Sequence, residues 1–385
     1  MKDFRTKLFL RTFLGALVFL IYTVSSVASS EYEDDCKTMS LNQELLEKIP
    51  VMNQGNDPIC YAYTANQMWD YLRMTNMVFP NGVVAPDFEL SSPVHTALGA
   101  FATQMERENN KIDPELYMEG NSIKAALQFI HKRTGSCSVM QDKDYHSYRG
   151  MINRIPHFQD LYNEFLEEVK IFRPEGTFDY RHLTFSYNVK ELIKNSWVDK
   201  IQENLQAFEI PEEDYPNEDL IISALMDEGG FLFFFQKIFF PACEKQKSWT
   251  YARSPKLISY DWFDKEKGKN WTDYIDTALE IGQYLTGNRK VVQPVGISYC
   301  SNFLKNYTSQ ISKLDISNRS SCGNHASIIV ERKKKNGVCQ YKIKNSWGPC
   351  FYGSRNGVSC EDGNYWVPRD LLNKTIYSIN YYDFL

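Results

Sequence analysis

Apolar residues recur at helical spacing over residues 60–74, at Tyr63, Met68, Trp69 and Leu72, with no interior Gly or Pro, which predicts a helix. A second helix is expected over 121–133, where Ile123, Ala126, Leu127 and Ile130 share one face and Gly135 ends the run. From about 141 to 270 Tyr, Phe and acidic residues become dense, and helical patterns recur around 159–169 and 189–208. The run Phe231-Leu232-Phe233-Phe234-Phe235, extended by Phe239 and Phe240, is far too short to span a bilayer. It reads as a buried helix or strand, with an exposed docking patch as the alternative. Residues 273–285 are again helical in pattern. Beyond Val291 the period changes to that of strands, over 291–299, 326–331, 340–344 and 364–367, with Gly, Asn and Pro between them. The chain is thus expected to be α+β, with a helical first part, a mostly helical middle and a β-rich last part.

The N-terminus has a different pattern, that of an export signal. Lys2, Arg5 and Lys7 precede an apolar stretch of about 13 residues over 12–24, and Ser26-Val27-Ala28 supplies the small residues read at a cleavage site. Residues 1–28 are expected to be a signal peptide, followed by a short polar segment over 29–43. No stable membrane span is expected once the signal is removed. Export to an extracytoplasmic, oxidising compartment fits the nine cysteines, an odd number that leaves at least one thiol free. If Cys60 is that thiol, Cys36, Cys137, Cys243, Cys300, Cys322, Cys339, Cys350 and Cys360 are left to pair, in any of about 105 ways. No CxxC pair is present, so a zinc site is not expected, nor any cofactor.

Composition changes the picture little. With 43% hydrophobic and 24% charged residues in 385, a sizeable core can form, and a net charge of −5 points to no nucleic-acid partner. Arg332 to Lys335 form a short basic run before Asn336-Gly337, which reads as a solvated hairpin tip. The histidines other than His325 (His95, His131, His146, His157 and His182) show no i, i+4 metal spacing. Four Asn-X-Ser/Thr sequons occur, at Asn270, Asn306, Asn318 and Asn373.

Candidate chemistry begins at Asp57-Pro58-Ile59-Cys60. Asp57 suits an N-cap and Pro58 a first helical position, which puts Cys60 in the first turn. Unpaired N–H groups and the dipole at a helix N-terminus favour an anion, so this is a place where a thiol pKa is expected to fall. A structural cysteine opening a helix would look the same. Gln54 lies six positions upstream on a loop with Gly55, where its amide and the Cys60 N–H are placed to donate to an oxyanion. The β-rich part supplies His325 as a base and Asn345 as an acceptor to hold its second ring nitrogen, with Trp347 two residues on to shield that bond.

Four segments carry a family resemblance. Asn53-Gln54-Gly55 with Cys60, Cys322-Gly323-Asn324-His325-Ala326, Lys344-Asn345-Ser346-Trp347-Gly348 and Gly363-Asn364-Tyr365-Trp366 resemble, in order, motifs of papain-like cysteine peptidases. The resemblance covers about 44–140 and 271–385. It implies a two-part fold, a helical left half over 44–140 and a β-barrel-like right half over 271–385, with the active site between them. It further implies that Cys60 is the nucleophile, His325 the base, Asn345 its orienting partner and Gln54 an oxyanion-hole donor. Gly120 and Asn121 stand where the family binds substrate backbone, and Trp347 is counted with them. A protein or peptide substrate follows.

The departures are substantial. Where the family has Cys-Gly-Ser-Cys-Trp this chain has Asp57-Pro58-Ile59-Cys60-Tyr61, so the cysteine before the nucleophile and the tryptophan after it are absent, and Asn121 stands for a glycine. Cys60 and His325 lie 265 positions apart, against about 130–150 in the family. The excess is expected to be a helical insertion over 141–270, which covers or narrows the cleft or docks a partner. A catalytically silent binding protein on the same fold and a thiol acyl transferase remain the alternative functions.

Overall fold

The computed structural model describes residues 36–55, 58–76, 90–107, 122–133, 154–170, 187–208, 210, 212, 215–226, 230–239, 256–261, 263–264, 269–281, 292–304, 322–350 and 357–383. The expected signal peptide, Asp57, Gly120, Asn121, Cys137 and Cys243 lie outside them. The fold is α+β: helices pack on both faces of an antiparallel sheet.

The organising helix is α2, Cys60–Asn76, preceded by the short α1, Gln43–Glu47. Apart from Cys60 and Tyr63, which are half-buried, its residues 61–75 are buried all round, so it is a core helix rather than an amphipathic surface one. Its polar residues are therefore paired: Thr96 Oγ1 donates to Asn66 Oδ1, and Asp70 accepts from Arg73, the Ser91 hydroxyl and the Ser91 N–H. Helix α3 (Pro93–Arg107) and helix α4 (Ile123–Arg133) lie against α2.

Five further helical segments follow, α5 (Ile155–Lys170), α6 (Tyr187–Leu192) leading through a π-turn (Ile193–Trp197) into α7 (Val198–Ala207), α8 (Glu218–Met226) and α9 (Gly230–Phe239). The aromatic run folds as α9, with Phe231, Phe234, Phe235 and Phe239 buried against Phe158 and Tyr162 of α5. These helices share one continuous apolar core with α2, α3 and α4. The described helices from Ile155 to Phe239 thus belong to the same core as α2, α3 and α4.

The sheet runs in the order β2-β8-β3-β4-β5-β7-β6, with strands β2 (Lys256–Asp261), β3 (Val295–Cys300), β4 (Asn324–Lys335), β5 (Val338–Lys344), β6 (Ser359–Glu361), β7 (Asn364–Pro368) and β8 (Ile376–Asp383). One face, through Ala326, Ile328 and Val330, joins the helical core; the other is closed by α10 (Trp271–Ile281) and α11 (Arg369–Thr375). Helix α2 reaches β3 and β4 closely because position 296 is glycine: a Cβ there would come within 2.6 Å of Met68 Sδ.

Two boundaries are corrected. Residues 256–261 fall in the stretch expected to be a helical insertion, yet they form the edge strand paired with β8; both sides of that strand are only half-buried, so it lacks the alternation that announces a strand. Residues 36–43, within the segment expected to be short and polar, are built into the fold. Met39 and Ser40 form β1 beside Arg332 and Glu331 of β4, Leu41 is buried, and Cys36 is bridged to Cys339. Cys300–Cys322 and Cys350–Cys360 are also bridged, and Cys60 is free.

Candidate active site

Cys60 opens α2, as Asp57-Pro58 predicts; Ala62 and Tyr63 N–H groups both close on the Ile59 carbonyl. The helix delivers its sulfur to the start of β4. The Ala326 N–H bonds to the thiol, so the sulfur lies against the His325–Ala326 peptide. His325 is buried, its Nε2 lies 2.6 Å from Asn345 Oδ1, and its ring is stacked on Trp347 with centroids 3.9 Å apart. The edge of Tyr299 closes the other side at 5.5 Å, its hydroxyl held by Ser327. An amide oxygen accepts only, so Asn345 places the ring proton on Nε2 and leaves the Nδ1 lone pair to take another.

Gln54 is positioned by the same segment. Its N–H donates to the Ser346 carbonyl at 2.8 Å, the Gly348 N–H donates to the Met52 carbonyl at 2.9 Å, and Asn53 bridges to Trp347. Gly348 has φ +72°, which turns the chain after Trp347 at a conformation other residues resist. The Ser346 hydroxyl donates to Gln54 Oε1 at 2.5 Å, so the Gln54 amide presents its NH₂ elsewhere. Sequence reasoning gave Ser346 no role; nothing local marks a contact across 292 positions. Tyr299 was also missed.

His325 is thus held by Asn345 and Trp347, Cys60 lies against the backbone of Ala326 beside it, and Gln54 is held by Ser346, while Gly120 and Asn121 lie outside the described residues. Trp347 covers the His325–Asn345 pair. The electrostatics correct one expectation. Burial pushes the Cys60 thiol up from 9.0 to about 11, and the N–H groups of Ala326, Tyr61 and Cys60 itself offset only part of it. A helix N-terminus alone does not make this thiol an anion.

Lys344, directly before Asn345, is buried on β5, and its pKa falls from 10.5 to about 8 through desolvation and the nearby charge of Lys342. A lysine with a depressed folded-state pKa costs stability while protonated in both states, below about pH 8, and the cost fades as pH rises towards 10.5. Lys344→Met is therefore expected to raise unfolding free energy at pH 7 by about 1–3 kcal/mol, with the gain gone above about pH 10.5. Urea unfolding at several pH values checks this.

No protein-family model and no curated protein matches the chain. Among solved structures it is similar to xylellain, a cysteine protease from Xylella fastidiosa, with 13% identity over 90% of this chain and 86% of that one at a TM-score of 0.39. It is also similar to a chain from a study of antibody cross reactivity between the mite allergens Blo t 1 and Der p 1, with 12% identity over 87% of this chain and 66% of that one at a TM-score of 0.34.

Proposed function

We propose that the chain is an exported cysteine peptidase of papain-like design that hydrolyses peptide bonds. The observation that carries this reading is the convergence of a thiol from α2, an imidazole from β4 held by an amide oxygen after β5, and a second amide gripped by Ser346.

In this mechanism the Cys60 proton passes to His325 Nδ1, and the sulfur attacks the scissile carbonyl carbon. Negative charge moves to the carbonyl oxygen, where Gln54 Nε2 and the Cys60 N–H donate. His325 returns the proton to the departing amine, leaving a thioester; water, deprotonated by the same ring, then releases the acid. Asn345 holds the ring through Nε2, and Trp347 keeps solvent from that bond. The Asn345 Nδ2 is buried without a hydrogen-bond partner, a costly arrangement for stability alone and one that suits a residue kept for orientation. Gly120 and Asn121 are assigned to the substrate backbone. The three disulfides among the described residues suit an oxidising exported compartment.

An epoxide inactivator specific for papain-like thiols is expected to label Cys60 in the folded protein, with the bridges intact and hydrolysis lost in step. Folded protein that stays unlabelled and inert towards peptides would favour the silent binding protein. Labelling with amide-bond formation in place of hydrolysis would favour the acyl transferase. Gln54→Ala is expected to lower kcat by about 10²-fold with KM little changed. A fall in melting temperature that accounts for the lost rate would refute the oxyanion role.

A further inference from the structure

Phe263 is 89% exposed, the most exposed large apolar side chain among the described residues. It is held there by a tight turn at the end of β2. The Phe263 N–H donates to Asp261 Oδ1 at 2.8 Å, the Asp264 N–H donates to the Asp261 carbonyl at 3.1 Å, and the Asp261 N–H donates back to Asp264 Oδ2 at 3.1 Å. The ring is thus presented to solvent from a hydrogen-bonded turn that engages both Asp261 and Asp264.

The sheet register locates the turn. Asp261 pairs with Ser378, Ser378 with Ser298, and Ser298 with Ala326, the residue whose N–H meets the Cys60 sulfur. Phe263 therefore leaves the sheet at the same end as His325. Three strand steps, β2-β8-β3-β4, separate them, or about 14 Å at the usual spacing between strands. An extended peptide advances about 3.3 Å per residue, so a substrate lying across this end would bring a side chain about four positions from its scissile bond to the phenyl ring.

We propose that Phe263 is a specificity-determining residue that docks an apolar side chain of a polypeptide substrate about four positions from the cleaved bond. The proposal rests on the peptidase reading. An aromatic side chain has few rotatable bonds and loses little freedom on binding, which is what makes such residues strong anchors. The occupant is the substrate itself, because the ring shares the sheet end that holds the thiol and the imidazole.

The test compares the full chain with Phe263→Ala and Phe263→Trp on two sets of substrates: fluorogenic dipeptide amides, and ten-residue quenched peptides with Leu, Phe or Asp placed four positions either side of the cleaved bond. Phe263→Ala is expected to lower kcat/KM about tenfold on the long peptides carrying Leu or Phe, through KM, and to leave the dipeptide amides unchanged. Phe263→Trp is expected to retain the preference. Equal kcat/KM for wild type and Phe263→Ala on every long peptide overturns the docking role. So does a change only in oligomeric state, measured by sedimentation. Failure of the wild type to cleave the dipeptide amides or to take the epoxide label overturns the peptidase reading, and this one with it.

Discussion

Cys60→Ala is expected to lower kcat for peptide hydrolysis by about 10⁴-fold or more, the scale on which removing the nucleophile from a cooperating set costs an enzyme. The effect is large because, among the described residues, the hydroxyls at the site are engaged, Ser346 with Gln54 and Tyr299 with Ser327, and the other groups are an imidazole, two amides and an indole. Folding is expected to be preserved. The thiol is desolvated, and its hydrogen bonds come from N–H groups at the helix start and from Ala326, so a methyl group loses little that holds the fold. Hydrolysis of a fluorogenic peptide by purified protein, beside thermal unfolding of the same sample, measures both. Residual activity above about one per cent in a folded Cys60→Ala protein would remove Cys60 from the mechanism. Cys60→Ser is expected to behave alike, because a hydroxyl gives up its proton far less readily than a thiol.

How far such a site can be read from sequence depends on which residues announce themselves. The start of α2 was legible because Asp57-Pro58 is a helix-opening signal and the following fifteen residues contain neither Gly nor Pro. The strands β3, β4 and β5 were legible as β-branched and aromatic runs between turns. Helix α3 was not, because its buried positions include the small residues Ala97, Gly99 and Ala100, which pack tightly but leave a weak apolar period. Strand β8 was missed for a different reason. Asn380 is buried within it and tyrosines occupy both faces, so no alternation marks it out.

The site divides in the same way. Cys60, His325, Asn345 and Gln54 could be singled out from residue type, local order and the resemblance of four segments, and the structure pairs His325 with Asn345 and sets Cys60 against the Ala326 backbone. The grip of Ser346 on Gln54 and the cover of Tyr299 on His325 are products of the sheet and of the loop at Met52 to Gly55, contacts between segments far apart in the chain. Burial is the other quantity that sequence hides. The helix-terminus argument has the right sign, yet it is the smaller effect: desolvation outweighs it and carries the thiol to about 11. Removing the helices from Ile155 to Phe239 would not isolate a smaller folded core either, since their apolar faces and those of α2, α3 and α4 are one cluster.

His325→Ala is expected to slow alkylation of Cys60 at pH 7 by about 10²-fold or more, because the thiolate then has no cation to form beside it. With the thiol near 11, four pH units above neutrality, only about one molecule in 10⁴ carries the anion at pH 7. In the wild type the proton need not leave for water. In the proposed mechanism it passes to Nδ1, and the imidazolium so formed would keep its Nε2–H on Asn345 Oδ1 and its face on Trp347. The anion is stabilised by that charge in a desolvated setting, where an ion pair is strongest. The sign fixes the pH profile: iodoacetamide should label wild-type Cys60 at a rate nearly flat from about pH 6 to 9, the range in which a coupled thiolate–imidazolium pair persists. In His325→Ala the rate should rise tenfold per pH unit up to about 11, as for a lone buried thiol. Asn345→Ala should lie between, with the flat region narrowed from its alkaline side as the imidazolium loses its acceptor. A wild-type rate that climbs tenfold per unit from pH 6 to 9 would mean that the two groups do not share a proton, and with it the mechanism proposed for this site would fall.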